Sequence, residues 1–549
     1  MNRTSFAALG LLALPCALMA QQRLPLKLTP KPTVPEITPA DLMTRVYAFA
    51  DDSMMGRQTG TVYHDKGTDY IARELSRLGL KPGGDNGTFF QSFPTRGLAN
   101  DVKLRVDGRE FTVWRDFLPR DPGSSTPELR NTTVVYGGVF FDTARMIDPA
   151  QAAGRVVVFT VPRGWQANRG VLMQRYSASV AIAIATLDQM PEEARVALSQ
   201  PSMAPAPGML PPVSFFYASQ AMAEVMLGAP IASLSVGATG KAISGALAFT
   251  LMQAPGLRNV IGILPGSDPT VRGQYVAIGA HSDHAPEGTA VPVDHDSLYA
   301  FYHIVRPGGA DDGNKPATAG DWPKIRALLD SLRRLRPSRM DSVFNGADDD
   351  ASGSMAMLEV AEAFATANAK PKRSILFVWH VAEEQGLVGS QYFTDHPTVP
   401  RDSIVAQINI DMIGRGGAAD TPGGGPGYLQ LIGSRRLSTE LGDVVEAEGK
   451  KFNPAFKFDY QYDANGHPGQ YYCRSDHYNY ARYGIPVVFM STGGHAEYHQ
   501  ITDEPQYLDY DQLGRVTQLV LNTANRLASL EHRVVVDKPK PDPRGNCVQ

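Results

Sequence analysis

Chemistry first shows in this sequence as three adjacent aspartates in "NGADDDASG", residues 345–353. Four further stretches in the same half of the chain carry acids and histidines: "GAHSDH" with His281 and Asp283, "VAEEQGLVGS" with Glu383 and Glu384, "NIDMIG" with Asp411, and the region of His495 and His499. Singly, each has a structural reading, since an aspartate before a helix commonly caps it and a glutamate pair commonly faces water. Gathered at one place, these carboxylates would repel one another and lose hydration unless cations neutralised them. Imidazole and carboxylate without thiolate form a donor set for zinc, which also suits hydrolysis, although cobalt or manganese accept the same ligands. Two ions sharing a bridging carboxylate need about five protein ligands, with a further carboxylate left to act on an activated water.

The runs leading into these groups predict how they are brought together. "QYVAIGAHSDH", "RSILFVWHVAEE", "IVAQINIDMIG" and "IPVVFMSTGGH" are nearly unbroken apolar runs, as expected of strands buried on both faces of a parallel sheet. "SGSMAMLEVAEAFATAN" and "RLSTELGDVVEAEGK" between them have helical spacing. The expected fold class is α/β, a mostly parallel central sheet flanked by helices. In such sheets ligands collect beyond the carboxyl ends of strands, where all four runs end in acids or histidines.

Upstream, "HDKGTDYIARELSRLGL" reads as a helix closed by Gly79 and Pro82. Over 101–256 the texture changes to short β-rich runs such as "NTTVVYGGVFF" and "GRVVVFTVP", with an alanine-rich helix expected near 180–186. The expected organisation is a signal peptide over 1–20, a segment over 21–100 packing with the catalytic domain, an inserted β-rich domain over 101–256, the catalytic domain over 257–535 and a tail over 536–549. The leader "MNRTSFAALGLLALPCALMAQQ" joins one arginine to an apolar run too short to persist as a membrane span, so export to a periplasmic or secreted location is expected. Cys16 would permit a lipid-anchored start, which Pro15 beside it disfavours. Cys473 and Cys547 then remain, and an oxidising compartment permits them to pair. No mature transmembrane run is expected. A net charge of −4, with 20% of residues charged and no Lys/Arg clustering, argues against nucleic acid as a partner.

The motifs "GAHSDH", "NGADDDASG", "VAEEQGLVGS", "NIDMIG" and "YHQITDEP", in this order, resemble those of the M28 family of zinc metallopeptidases, the dizinc aminopeptidases related to bacterial leucyl aminopeptidase. "DDSMMGRQTGT" and "FFQSF" resemble the family's leading segment, and the β-rich insert resembles its protease-associated domain by position and texture. What this implies is an exported dizinc metallopeptidase acting on peptide or protein substrates, foremost an aminopeptidase releasing N-terminal residues. His281 and Asp411 would bind one Zn2+, Glu384 and His499 the other, and Asp349 would bridge them through a loop with a cis Asp349–Asp350 bond. A metal-activated water would pass its proton to Glu383 and attack the scissile carbonyl, after which Glu383 would protonate the leaving amine. Asp283 would orient His281. Asp476 and His477 resemble a pocket-lining motif of the family. Tyr498 stands where some members use a tyrosine to stabilise the oxyanion, or else packs in the core. Asp503 either orients His499 or caps a turn, and the roles of Asp348 and Asp350 stay open.

Other residues compete for these roles. His284 and His495 read as surface or substrate-facing, His380 as a core histidine, and Cys473 lacks the surroundings of a nucleophile. His281 and Asp349 stand 68 positions apart, so the residues between form either a wall of the site or a peripheral elaboration. "GRGGAADTPGGGPGY" from Gly414 lacks the Lys-Ser/Thr of a phosphate loop and reads as a mobile loop. The alternatives are a dizinc carboxypeptidase or deacylase, a single-zinc glutaminyl cyclase, and a catalytically silent binding protein on a peptidase fold. A retained general base argues against the last.

Overall fold

The computed structural model describes residues 24–549 except 94, 100–101, 121–127, 141–144, 163–168, 191–194, 196–201, 204–212, 253–255 and 285–288. The expected signal peptide lies outside the described residues. The central sheet is built of β1 (Arg258–Leu264), β2 (Tyr275–His281), β3 (Ser374–His380), β4 (Ile404–Ile410), β5 (Tyr428–Ile432) and β6 (Val487–Ser491), of which β2, β3, β4 and β6 are the four apolar runs. They lie side by side as β1-β3-β2-β4-β6-β5. The four central strands are parallel, whereas β1 and β5 run antiparallel on either side of them. Short strands at Lys81–Pro82 and Phe90–Ser92 pair with β1.

Both faces of this sheet are covered, which is why its strands lack polar alternation. Val276, Ile278, Ile375 and Phe377 point into one core, and Ala277, Leu376 and Val378 into the opposite one. The first core lies under α1 (Pro39–Phe49), α2 (Val62–Arg77), α3 (Gly353–Thr366) and α4 (Tyr510–Ala528). Thr38 caps α1 by accepting from the Asp41 backbone N–H, with Pro39 in the first turn. Arg45 of α1 is buried and binds Glu359 of α3 at 2.7 Å, Glu362 of α3, and Glu74 of α2 at 3.3 Å. The leading segment is thereby joined to the layer that covers the central sheet.

Residues 103–246 build a second, eight-stranded sheet with an apolar core on each face. The helix expected near 180–186 is instead the strand Ala181–Ala185, paired in parallel with Val156–Thr160 and Ser214–Ala218. Its "AIAIA" alternation sends Ile182 and Ile184 into one core and Ala181, Ala183 and Ala185 into the other. Two flanking ladders and this period-two packing outweigh the modest helix preference of alanine.

Between β2 and α3 lie a two-stranded ribbon, Thr289–Asp294 with Met340–Val343, and two helices, His295–Val305 and Trp322–Leu335. The helices share a small core of Ala300, Val305 and Ile325. Cys473 and Cys547 form a disulfide that ties the C-terminal tail back to the loop after β5 that carries Cys473. Among the described residues no helix is long and apolar enough to cross a membrane.

Candidate metal centre and active-site cleft

The parallel strands deliver their ends to one cleft of about 330 Å³. His281 is the last residue of β2, Asp411 follows β4 directly, Glu383 and Glu384 follow β3, and His499 lies in the loop after β6. Glu383, Glu384, Asp349, Asp411, Tyr498 and His499 all line the cleft.

The aspartate run has a different job for each member. Asp350 is fully buried, and its carboxylate accepts from the backbone N–H groups of His281, Gly353 and Met412 at 2.9–3.2 Å. It therefore pins the ends of β2 and β4 to the start of α3. Asp348 accepts from Gly414 N at 2.6 Å and faces His495 Nε2 at 3.2 Å. The Gly414 loop is thus anchored at its start rather than free, and Arg415 within it is buried against Glu497 and Asp420, both at 2.9 Å. Asp503 receives the N–H groups of Asp348 and Asp349 at 3.0–3.1 Å and so holds the loop itself. Burial pushes the Asp503 carboxyl up to about 6, with His495 opposing. The Asp349–Asp350 peptide bond is cis.

Below the loop, Arg57 is fully buried and donates to the carbonyls of Asn345 (2.7 Å), Gly346 (2.9 Å), Ser282 (3.2 Å) and Phe49 (3.2 Å). Gly346 has φ +55°, and a Cβ there would meet both Asp349 O and His284 Cγ at 2.3 Å. That crowding requires glycine.

Asp349 is left at the centre. His281 Nε2 lies 3.0 Å from its Oδ1 and 3.6 Å from Asp411 Oδ1, while His499 Nε2 lies 2.9 Å from its Oδ2 and 2.8 Å from Glu384 Oε2. His284 Nδ1 approaches Glu384 Oε1 to 3.2 Å. Asp349 Oδ2, Glu384 Oε1 and both His284 nitrogens are buried without a hydrogen bond of good geometry. Ligand atoms of His281, Asp350 and Asp411, and of His284, Asp349 and Glu384, cluster within 4.8 Å of one another in two groups. In the first, Asp350 is committed to backbone N–H groups, which leaves Asp349 as the carboxylate facing His281. Orphaned buried donor atoms, all nitrogen or oxygen, fit divalent cations of the zinc class. Burial works against charge on His499, but Asp349 and Glu384 outweigh it and lift the imidazole to about 11. Positive charge at this point is what the carboxylates demand, whether from protons or from metal ions.

The other expected site residues fall as follows. Asp283 meets His281 Nδ1 through its carbonyl at 3.1 Å, and its carboxylate receives Thr59 Oγ1 at 2.9 Å and Glu383 N at 3.3 Å. Glu383 faces the cleft, and burial, opposed by His281 and reinforced by Asp411, raises its carboxyl well above the ordinary range. Asp476 and His477 do not line the cleft. Asp476 lies 3.2 Å from His380 Nδ1, and His477 packs on Phe489, where burial lowers it to about 3. It is the preceding Ser475 that reaches the centre, donating to Asp411 at 2.8 Å. His284 and His495, read as surface or substrate-facing, are both fully buried. His284 folds back beneath Gly346, and His495 sits between Asp348 and Glu497. Nothing in local spacing marks Arg57, because its partners are distant in sequence, whereas His284 stood out by its place in "GAHSDH" without its inward orientation being readable.

Residues 325–524 match the model of peptidase family M28. The match includes Asp349, Glu383, Glu384, Asp411 and His499 and stops short of His281. Leupeptin-inactivating enzyme 1 of Streptomyces exfoliatus is 30% identical over 191 residues, which are 34% of this chain and 37% of that protein. Leucine aminopeptidase 1 of Aspergillus oryzae is 30% identical over 224 residues, 39% of this chain and 54% of that one. The chain therefore spans about half or less of the length of these relatives. Among solved structures, an aminopeptidase from Aneurinibacillus sp. strain AM-1 aligns over 92% of this chain and 97% of its own at 14% identity, with a TM-score of 0.45.

Proposed function

We propose that this chain is an exported dizinc metallopeptidase, and specifically an aminopeptidase. The observation that carries the reading is Asp349, whose two oxygens face His281 and His499 separately while Asp411 and Glu384 flank the same point. His281 and Asp411 would hold one zinc ion, Glu384 and His499 the other, with Asp349 shared and His284 a further donor beside the second. When bound, the pair supplies Lewis acidity and a nucleophile at neutral pH.

The chain's own residues do the rest. Glu383, free of an ion-pair partner among the described contacts, takes the proton of the attacking water and returns it to the leaving amine. Ser475 fixes Asp411, and Asp283 fixes both His281 and the backbone of Glu383. The Tyr498 hydroxyl donates to the carbonyl oxygen as charge develops there. Burial, reinforced by Asp349 and Glu384, keeps that phenol protonated.

Aminopeptidase specificity is supported by the name of the Aspergillus relative. Export is supported by the leader and by the Cys473–Cys547 disulfide. We assign the 101–256 region to a protease-associated-type domain on its separate sheet and cores.

The test is zinc content and hydrolysis by wild type and Glu383→Gln on matched free and N-acetylated peptides. About two zincs in both proteins, cleavage of free-amine peptides only, and a kcat lower by about 10²–10⁴ in the variant are expected. Preference for acylated peptides would point to a deacylase, and metal without hydrolysis to a binding protein.

A further inference from the structure

Among its described residues, the segment between His281 and Asp349 lines the cleft at one charged residue. Asp311 stands on the turn Gly309–Asp312, between the two helices of that segment, and lines the cleft together with Tyr471, Arg474 and Tyr498. Its carboxylate receives Arg474 Nη2 at 2.9 Å, Arg474 Nη1 at 3.3 Å and Tyr471 Oη at 3.2 Å. Arg474 in turn donates to Tyr498 Oη at 3.3 Å. A guanidinium has donors only, so the Tyr498 oxygen is the acceptor in that contact and its single O–H must point elsewhere.

The same turn grips the loop carrying Tyr498 and His499. Ala310 N donates to Tyr498 O at 3.1 Å. Gly309 has φ +59°, and a Cβ there would lie 2.6 Å from His495 O and 2.7 Å from Tyr498 O. No side chain fits between turn and loop.

We propose that Asp311 is a positioning residue for hydrolysis, holding Arg474 so that Arg474 engages the Tyr498 oxygen and the Tyr498 hydroxyl proton is directed at the carbonyl oxygen of the substrate. This rests on the metallopeptidase reading above. It gives the inserted segment a part in catalysis that its distance in sequence from the metal-binding motifs conceals. The competing reading is a rim salt bridge: the Arg474 and Asp311 side chains are 38% and 32% exposed, and such pairs contribute little to stability. The two readings differ in whether the loss of Asp311 is felt through Tyr498.

A double-mutant cycle separates them. Wild type, Asp311→Asn, Tyr498→Phe and the double variant are compared for kcat and KM on a free-amine peptide, with zinc content checked in each. Removing an oxyanion donor costs about 10²–10³ in kcat, so Tyr498→Phe should fall in that range. Asp311→Asn should lose about tenfold in kcat with KM changed less than about twofold, as for an interaction made only in the transition state. The double variant should be no slower than Tyr498→Phe alone. Arg474→Lys, which keeps charge but loses the two-pronged contact, should behave like Asp311→Asn.

A second readout does not use turnover. Calorimetry should show a peptide phosphonate, a tetrahedral analogue, bound about tenfold more weakly by Asp311→Asn, with affinity for the product amino acid unchanged. Unaltered kcat in Asp311→Asn, multiplicative losses in the double variant, or equal weakening of both ligands would each overturn the proposal. Failure of the wild type to cleave any peptide would instead overturn the metallopeptidase reading, so the two failures are distinct.

Discussion

Asp503→Ala tests how the aspartate loop is held. The Asp503 carboxylate is fully buried and receives two backbone N–H groups, those of Asp348 and of Asp349, at 3.0–3.1 Å. Hydrogen bonds to a charged acceptor contribute about 1.5–3 kcal/mol each, so alanine leaves two buried donors orphaned at a combined cost of about 3–6 kcal/mol. Part of that appears as lost stability, and part as looser placement of Asp349, the carboxylate shared by both proposed ions. Loss of a residue that orients a metal ligand typically weakens metal affinity about 10–100-fold. That range corresponds to about 1.4–2.7 kcal/mol, smaller than the combined cost of the two bonds, the remainder of which appears as lost stability. Zinc competition against a graded chelator, read as zinc retained on the protein, should shift by this factor. Activity should recover at saturating zinc. Asp503→Asn, whose amide oxygen still accepts but carries no charge, should fall between. A chelator midpoint unmoved in Asp503→Ala would refute the argument, even if the thermal midpoint dropped, because Asp503 would then serve the fold and not the ligand.

Two further outcomes follow from buried charge. Arg57→Met keeps the stem but removes four donors from the carbonyls beneath the ligand loops, and equilibrium denaturation should show a loss of about 3–5 kcal/mol; a loss below about 1 kcal/mol would show that water replaces the guanidinium. Glu504 is buried, which alone would raise it, but His295 and Arg339 outweigh burial and hold it near 2 against an ordinary 4.5. Since its folded value lies below its unfolded one, its contribution of about 3 kcal/mol is complete above about pH 4.5 and is lost as pH falls toward 2. The stability gap between wild type and Glu504→Gln should therefore close over that interval, and a gap independent of pH would sink the assignment.

The central sheet was legible because strands buried on both faces are apolar over most of their length, and a chemical group immediately after such a run lies at a strand end. His281, Glu383, Glu384 and Asp411 were found in this way. Their position relative to the sheet follows from local pattern alone. The misreading of "AIAIA" has the same root: five residues of alanine and isoleucine suit a helix or a strand, and only the neighbouring strands at 156–160 and 214–218 decide between them.

What the linear sequence determined, then, was the inventory of donors and the strands that carry them, since both depend on residue type and short-range period. The tertiary structure alone decided which donors converge and what holds them. Arg57 reaches the carbonyls of Asn345 and Gly346 from the leading segment, Asp503 receives the N–H groups of a loop about 150 residues earlier, and His284 turns inward because Gly346 leaves room for its ring. Asp348 and Asp350, indistinguishable in sequence from Asp349, are set apart only by the backbone N–H groups that meet them. Cys473 and Cys547 pair because the tail returns to the cleft wall. Each of these depends on long-range packing, in which a buried polar group takes the nearest partner in space whatever its place in the chain.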